Sequence, residues 1–238
     1  PDALFRLAEL YYEKSAVDFV VAMDIYDEAQ ARFDAGESKK EPEQPFQNFT
    51  QTIRVYEILR DQYPEYRYGD AALYLLGYVQ DASGDFKEAL GAFKLLTTRY
   101  PQSVYLPETY LRIGEYHFDA FEWEQAIAAY QSALKYPESR FFDKAIYKLA
   151  WTYFQKFDYD SAIATFKQLI AHYDKVAAES KEKGLAQQLR AEAIDYLARS
   201  LAEDDWDGDG EPDGGSHHAR GSFGCRGRRR RASWTRGS

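Results

Sequence analysis

One cysteine, Cys225, and one methionine, Met23, stand in a chain of 238 residues. A lone cysteine excludes an internal disulfide framework and any cysteine-built zinc site, though low cysteine use suits cytosol and periplasm alike. No run approaches the roughly 18 uncharged apolar residues that a spanning helix needs, so no membrane span is expected. A basic-then-apolar leader is also missing and the chain opens at Pro1. It therefore reads as a fragment or a processed chain. Catalytic signatures are absent: there is no G-x-S-x-G, no phosphate-cradling glycine loop and no H-E-x-x-H. His117 and His172 occupy helical packing positions in different segments, with no nucleophile tied to either. The expectation is a protein that is not an enzyme.

Basic residues are scarce everywhere except at the end. Residues 214–238 carry seven arginines and no acid, whereas residues 1–213 hold 23 Lys+Arg against 39 Asp+Glu, a net of −16. Such a body repels nucleic acid and anionic lipid, and no nucleic-acid partner is expected. The Gly/Arg/Ser text of 216–238 breaks abruptly with what precedes it and reads as a basic disordered tail.

What the body does have is a repeat. Tyr-Pro recurs at Tyr63-Pro64, Tyr100-Pro101 and Tyr136-Pro137, spacings of 37 and 36. Aligning the prolines superposes Gly77, Gly114 and Ala150, then Phe86, Trp123 and Tyr159, then Ala89, Ala126 and Ala162, then Phe93, Tyr130 and Phe166. Three full units follow, 64–100, 101–136 and 137–173. Leu73, Leu76, Gly77 and Gln80 keep i, i+3, i+4, i+7 spacing, as do Phe86, Ala89, Leu90 and Phe93, so each unit predicts two helices. Ser83-Gly84-Asp85 breaks them apart and the proline stops the second. The small residue at Gly77 marks a close approach of one helix to its partner.

The chain's edges fit the scheme with insertions. Residues 1–63 read as a divergent unit interrupted at 15–47 by an amphipathic helical stretch, about 16–33, and a charged loop, Gly36–Pro45. Residues 174–203 read as a polar insertion around Lys175–Lys183 followed by a helix lacking its partner. Residues 204–215 form an acidic Asp/Gly linker, and 216–238 the tail.

The pattern Leu76-Gly77, Phe86, Ala89, Phe93, Pro101 resembles the tetratricopeptide repeat, whose usual period is about 34 residues. The longer period and the Tyr-Pro-x-Ser junctions (Tyr100 to Ser103, Tyr136 to Ser139) are similar to the variety found in bacterial envelopes. That variety includes outer-membrane assembly lipoproteins of the BamD type, Tol-associated periplasmic repeat proteins and repeat proteins of gliding bacteria. The resemblance implies an all-α, right-handed solenoid of antiparallel helix pairs whose first helices line a concave groove. It also implies a periplasmic or outer-membrane-associated scaffold for a protein or peptide partner, in envelope assembly or motility. Carried onto this chain, the groove positions are Tyr74, Tyr78 and Asp81; Glu108, Leu111, Glu115, Phe118 and Asp119; and Lys144, Tyr147, Trp151 and Phe154. These describe aromatics rimmed by carboxylates, which would hold a peptide by ring contacts and favour positive charge. Two other uses stay open: a spacer or self-assembling homo-oligomer whose groove is filled by its own insertion, and a regulatory domain of a larger protein.

Asp205, Asp207, Asp209 and Asp213, with Gly208 and Gly210 between them, resemble an EF-hand-like calcium loop. The bidentate glutamate expected twelve positions along the loop is replaced by Ser216. A weak calcium site and a solvated acidic linker both fit this segment.

Overall fold

The structure, a computed structural model, describes residues 1–179 and 183–204. Among these there are nine helices and no strand. They are α1 (Asp2–Asp34), α2 (Thr50–Gln62), α3 (Gly69–Ser83), α4 (Phe86–Arg99), α5 (Leu106–Asp119), α6 (Trp123–Ala133), α7 (Phe142–Gln155), α8 (Tyr159–Glu179) and α9 (Lys183–Asp204). Each helix packs chiefly on the ones before and after it, and α5 also meets α7, so the pairs stack into an all-α solenoid. Asp204 ends α9, and the rest of the acidic segment and the basic tail, including Asp205, Asp207, Asp209 and Asp213, lie outside the described residues. No helix among the described residues is long and apolar enough to cross a membrane.

In the first two full units a ring fills the place where a side chain is missing. A Cβ built on Gly77 would lie 2.5 Å from Phe93 Cε1, and one on Gly114 would lie 2.4 Å from Tyr130 Cε1. The first helix therefore comes to rest directly against the aromatic face of the second. Phe93 and Tyr130 are buried as a result, as is Phe166 in the third unit, where Ala150 takes the glycine's place. The core runs along the array as a series of such clusters, with Leu73, Leu96 and Leu106 bridging the first and second full units.

The junctions between pairs are built by the residues of the Tyr-Pro-x-Ser signature. Ser103 Oγ accepts the backbone N–H of Tyr105 at 3.2 Å and donates to Asp70 Oδ2 at 2.8 Å, which ties one unit to the next. Ser139 Oγ likewise accepts the N–H of Phe141. Tyr100 adds a hydroxyl donated to the Pro64 carbonyl at 3.2 Å. These hydroxyl turns pair the N–H groups of Tyr105 and Phe141, the residues that lead into α5 and α7.

The turns inside the pairs share one geometry. Asp85 N–H reaches Gln80 O, Glu122 N–H reaches His117 O and Asp158 N–H reaches Tyr153 O. This six-to-one closure places one left-handed residue after the first helix. In the first full unit that residue is Gly84, φ +85. In the next two it is Phe121 (φ 61) and Phe157 (φ 64), where an L side chain is disfavoured.

Two sequence expectations change at the edges. The stretch expected as an insertion from residue 15 starts inside a single 33-residue helix, α1, because no glycine or proline interrupts residues 2–34. The loop after it returns along α1, with Gln47 Nε2 donating to Ser15 Oγ at 3.0 Å and Phe49 stacking on Tyr12. At the other end α8 continues to Glu179, so the expected polar insertion begins as helix.

Candidate functional site on the first-helix face

Helices α3, α5 and α7 present the residues expected to line the groove. Tyr74 is half-buried and stacks on Tyr105 with ring centroids 4.6 Å apart. Burial, followed by a hydrogen bond to Glu108, raises its phenol above the ordinary range. Tyr78 lies under the guanidinium of Arg112, 4.9 Å from the ring centroid. Lys148 lies 5.8 Å from the centroid of Phe118. Trp151 and Phe154 stack at 5.3 Å with an interplanar angle of 8°. Tyr196 of α9 meets the edge of Trp151 at 4.7 Å, and Tyr147 donates to Glu192 Oε1 at 3.0 Å. Burial, followed by the charge of Glu192, raises the Tyr147 phenol. The helix expected to lack a partner therefore closes the third unit's aromatic band.

Leu111 is not a groove residue. It is 1% exposed and sits in a cluster with Ala126, Tyr130, Ala133, Ala145 and Leu149. The aligned positions in the flanking units hold Tyr74 and Tyr147, whose rings extend past the helix packing, whereas a leucine ends within it.

The carboxylates expected to face a partner are already engaged within the chain. Arg112 donates to Glu108 Oε1 at 2.8 Å through one terminal nitrogen and to Asp81 Oδ2 at 3.3 Å through the other. It thereby bridges two units. Burial opposes its charge, but the hydrogen bond to Glu108 and the nearby carboxylates outweigh that and hold its pKa above the usual value. Glu115 pairs with Lys144 at 3.0 Å and with Lys148 at 3.7 Å, again across units. Asp119 is exposed at the end of α5. The expected rim of open carboxylates is thus largely a lattice of ion pairs, and it does not by itself select positive charge.

Sequence reasoning missed Arg112, Lys148 and Tyr196. Two of them carried a readable signal: Arg112 stands four residues after Glu108, and Lys148 stands four after Lys144 on the same helix face. His117, set aside as a packing residue, is buried with Nδ1 2.5 Å from Glu122 Oε2. Among the described residues no three His, Cys, Asp or Glu side chains gather to hold a metal ion.

The tetratricopeptide repeat family model matches residues 2–66, 71–103, 108–139 and 144–175. Among solved structures the chain is similar to one described as the crystal structure of MamA protein, at 24% identity and a TM-score of 0.46, covering 81% of this chain and 95% of that one. A second, described as the crystal structure of MamA, also shows 24% identity and a TM-score of 0.46, with 67% and 90% covered. No curated protein matches the sequence. Four family matches spanning most of the body, on stacked helix pairs whose small residues receive the facing rings, make this chain a member of the tetratricopeptide repeat family.

Proposed function

We propose that the chain is a non-catalytic scaffold that holds a partner polypeptide segment on the face formed by α3, α5 and α7. The observation that carries this reading is the set of half-buried rings along the first helices, Tyr74, Tyr78, Phe118, Tyr147, Trp151 and Phe154, each held by a ring or cation contact from outside its own helix. Rings held in place before binding lose little conformational freedom on contact, so the ordering cost falls mainly on the partner. Repeat arrays offer such surfaces because each unit adds another row of side chains to the last. Since the acids here are paired internally, partner choice rests on ring contacts and on exchange of existing ion pairs rather than on bare negative charge.

The site of action we propose is the bacterial envelope, in assembly or motility machinery, a reading supported by the Tyr-Pro-x-Ser junctions and the long repeat. The test is capture from separate envelope and cytosolic extracts by the full chain and by a Tyr78→Ala/Trp151→Ala variant that retains its helical circular dichroism. A protein retained from the envelope fraction by the wild type and lost by the variant is the expected result. Equal capture by both contradicts the groove, and capture from the cytosolic fraction alone contradicts the location.

A further inference from the structure

A second surface borders the groove, on the edge where the first helix of each pair turns into the second. Phe121 is 75% exposed and Phe157 is 51% exposed, each at the left-handed position of its turn. The equivalent position in the first full unit is Gly84, the residue that this backbone accepts without strain. The two phenylalanines therefore occupy a place where glycine serves the fold better, and most of the Phe121 ring lies in water rather than in the core. Backbone preference accounts for neither, and Phe121 gains little from packing.

The rings do not stand alone. Phe121 meets the edge of Trp123 at 5.5 Å, and Trp123 in turn meets Phe118 at 5.4 Å. Phe157 meets Tyr159 at 6.3 Å. Lys156 in the third unit's turn reaches Glu124 at the start of α6, 3.2 Å away, so the two turns are neighbours on one edge. Around the rings the same turns carry Asp119, Glu122, Glu124, Asp158 and Asp160 against Lys156; Glu124 pairs with Lys156 and Glu122 with His117 Nδ1, and the turns still keep a net negative charge.

We infer that this edge is a second interaction surface, and that it takes an arginine-bearing polypeptide segment. Guanidinium groups lie flat on exposed aromatic faces and pair with carboxylates from the same side, so a strip of rings set in net negative charge matches them twice over. A second copy of this edge is disfavoured as the occupant, because it would bring like charge against like. Phe121 and Phe157, which carry the inference, are not groove residues, although Trp123 touches Phe118 and Tyr159 touches Phe154 where the edge borders the groove.

The experiment uses the full chain in a background of Arg228→Ser, Arg229→Ser, Arg230→Ser and Arg231→Ser, so that the chain's own cations do not compete. The probe is a fluorescent synthetic peptide alternating arginine and leucine, with a glutamate-for-arginine counterpart as control, at physiological salt. Binding of the arginine peptide but not the counterpart is expected, weakened roughly tenfold or more by Phe121→Gly/Phe157→Gly. That double substitution relieves the turn backbone, so the variant stays folded, and its melting temperature is recorded alongside. The groove variant Tyr78→Ala/Trp151→Ala should bind as its parent does. No binding by the parent chain, equal binding after the double glycine change, or loss only in the groove variant would overturn the inference.

Discussion

Two glycines show how single residues set the geometry. Gly77 is needed for space: its added Cβ would meet Phe93 at 2.5 Å. Gly77→Ala should therefore destabilise the chain by about 1–3 kcal/mol, read from denaturant midpoints, with part of the loss recovered when Phe93→Leu is added. Gly84 is needed for conformation, since nothing lies within 4 Å of its added Cβ but φ is +85. Gly84→Ala should cost about 1–2 kcal/mol by strain alone. The reverse change, Phe121→Gly, should leave stability unchanged or raise it by up to about 1 kcal/mol, although it deletes an aromatic ring. A large loss there would mean that the ring is packed in solution. Gly77 was legible because its alignment with Gly114 marks a close approach. The left-handed phenylalanines were not, because the usual marker of such a turn is glycine, and only comparison of aligned positions reveals the substitution.

Among elements, the ion pairs of the first helices do more than decorate the groove. Arg112 on α5 joins Asp81 at the end of α3 to Glu108 on its own helix, and Lys144 on α7 reaches Glu115 on α5. Arg112→Ala leaves the partly buried Asp81 without its cation, leaves Glu108 only the longer pair with Arg140 at 3.9 Å, and takes the cover off Tyr78. A loss of about 1–2 kcal/mol is expected, larger than for Lys144→Ala, whose side chain is 51% exposed. Thermal melts of the two variants at low and high salt decide this, because only the exposed pair should weaken much with salt. The helix pairs were readable from period and spacing, since small residues and rings recur every 36 or 37 positions. The pairing of the acids was less readable. It depends on residues about 30 positions apart, and the alignment shows that they share a face without showing which cation lies between them.

At the scale of the whole molecule, tyrosine burial gives the array a characteristic response to alkali. Burial, aided by hydrogen bonding to Asp2, pushes the Tyr66 phenol up to about 12. Burial likewise raises Tyr56, Tyr74, Tyr130, Tyr147 and Tyr173. A phenol whose folded pKa exceeds its unfolded value of about 10 contributes fully below pH ~10, where both states are protonated. Above that the unfolded chain releases protons that the folded chain keeps, so stability falls as pH rises toward 12 and beyond. Melting temperature should therefore decline steeply above pH 10, and the share of phenolate absorbance that belongs to these six tyrosines should appear only with loss of helix. Ionisation of all 20 tyrosines before the helices melt would contradict the burial of these six.

A partner lying on the face of α3, α5 and α7 is read directly by a photo-crosslink. A benzoylphenylalanine is placed by Tyr78→benzoylphenylalanine on α3, and in a separate chain by Gln131→benzoylphenylalanine on the exposed side of α6. Both are irradiated in envelope extract. A discrete adduct from position 78 and none from position 131 is the expected outcome. The same adduct from both positions, or an adduct from position 131 alone, would place the partner elsewhere on the array and contradict the groove.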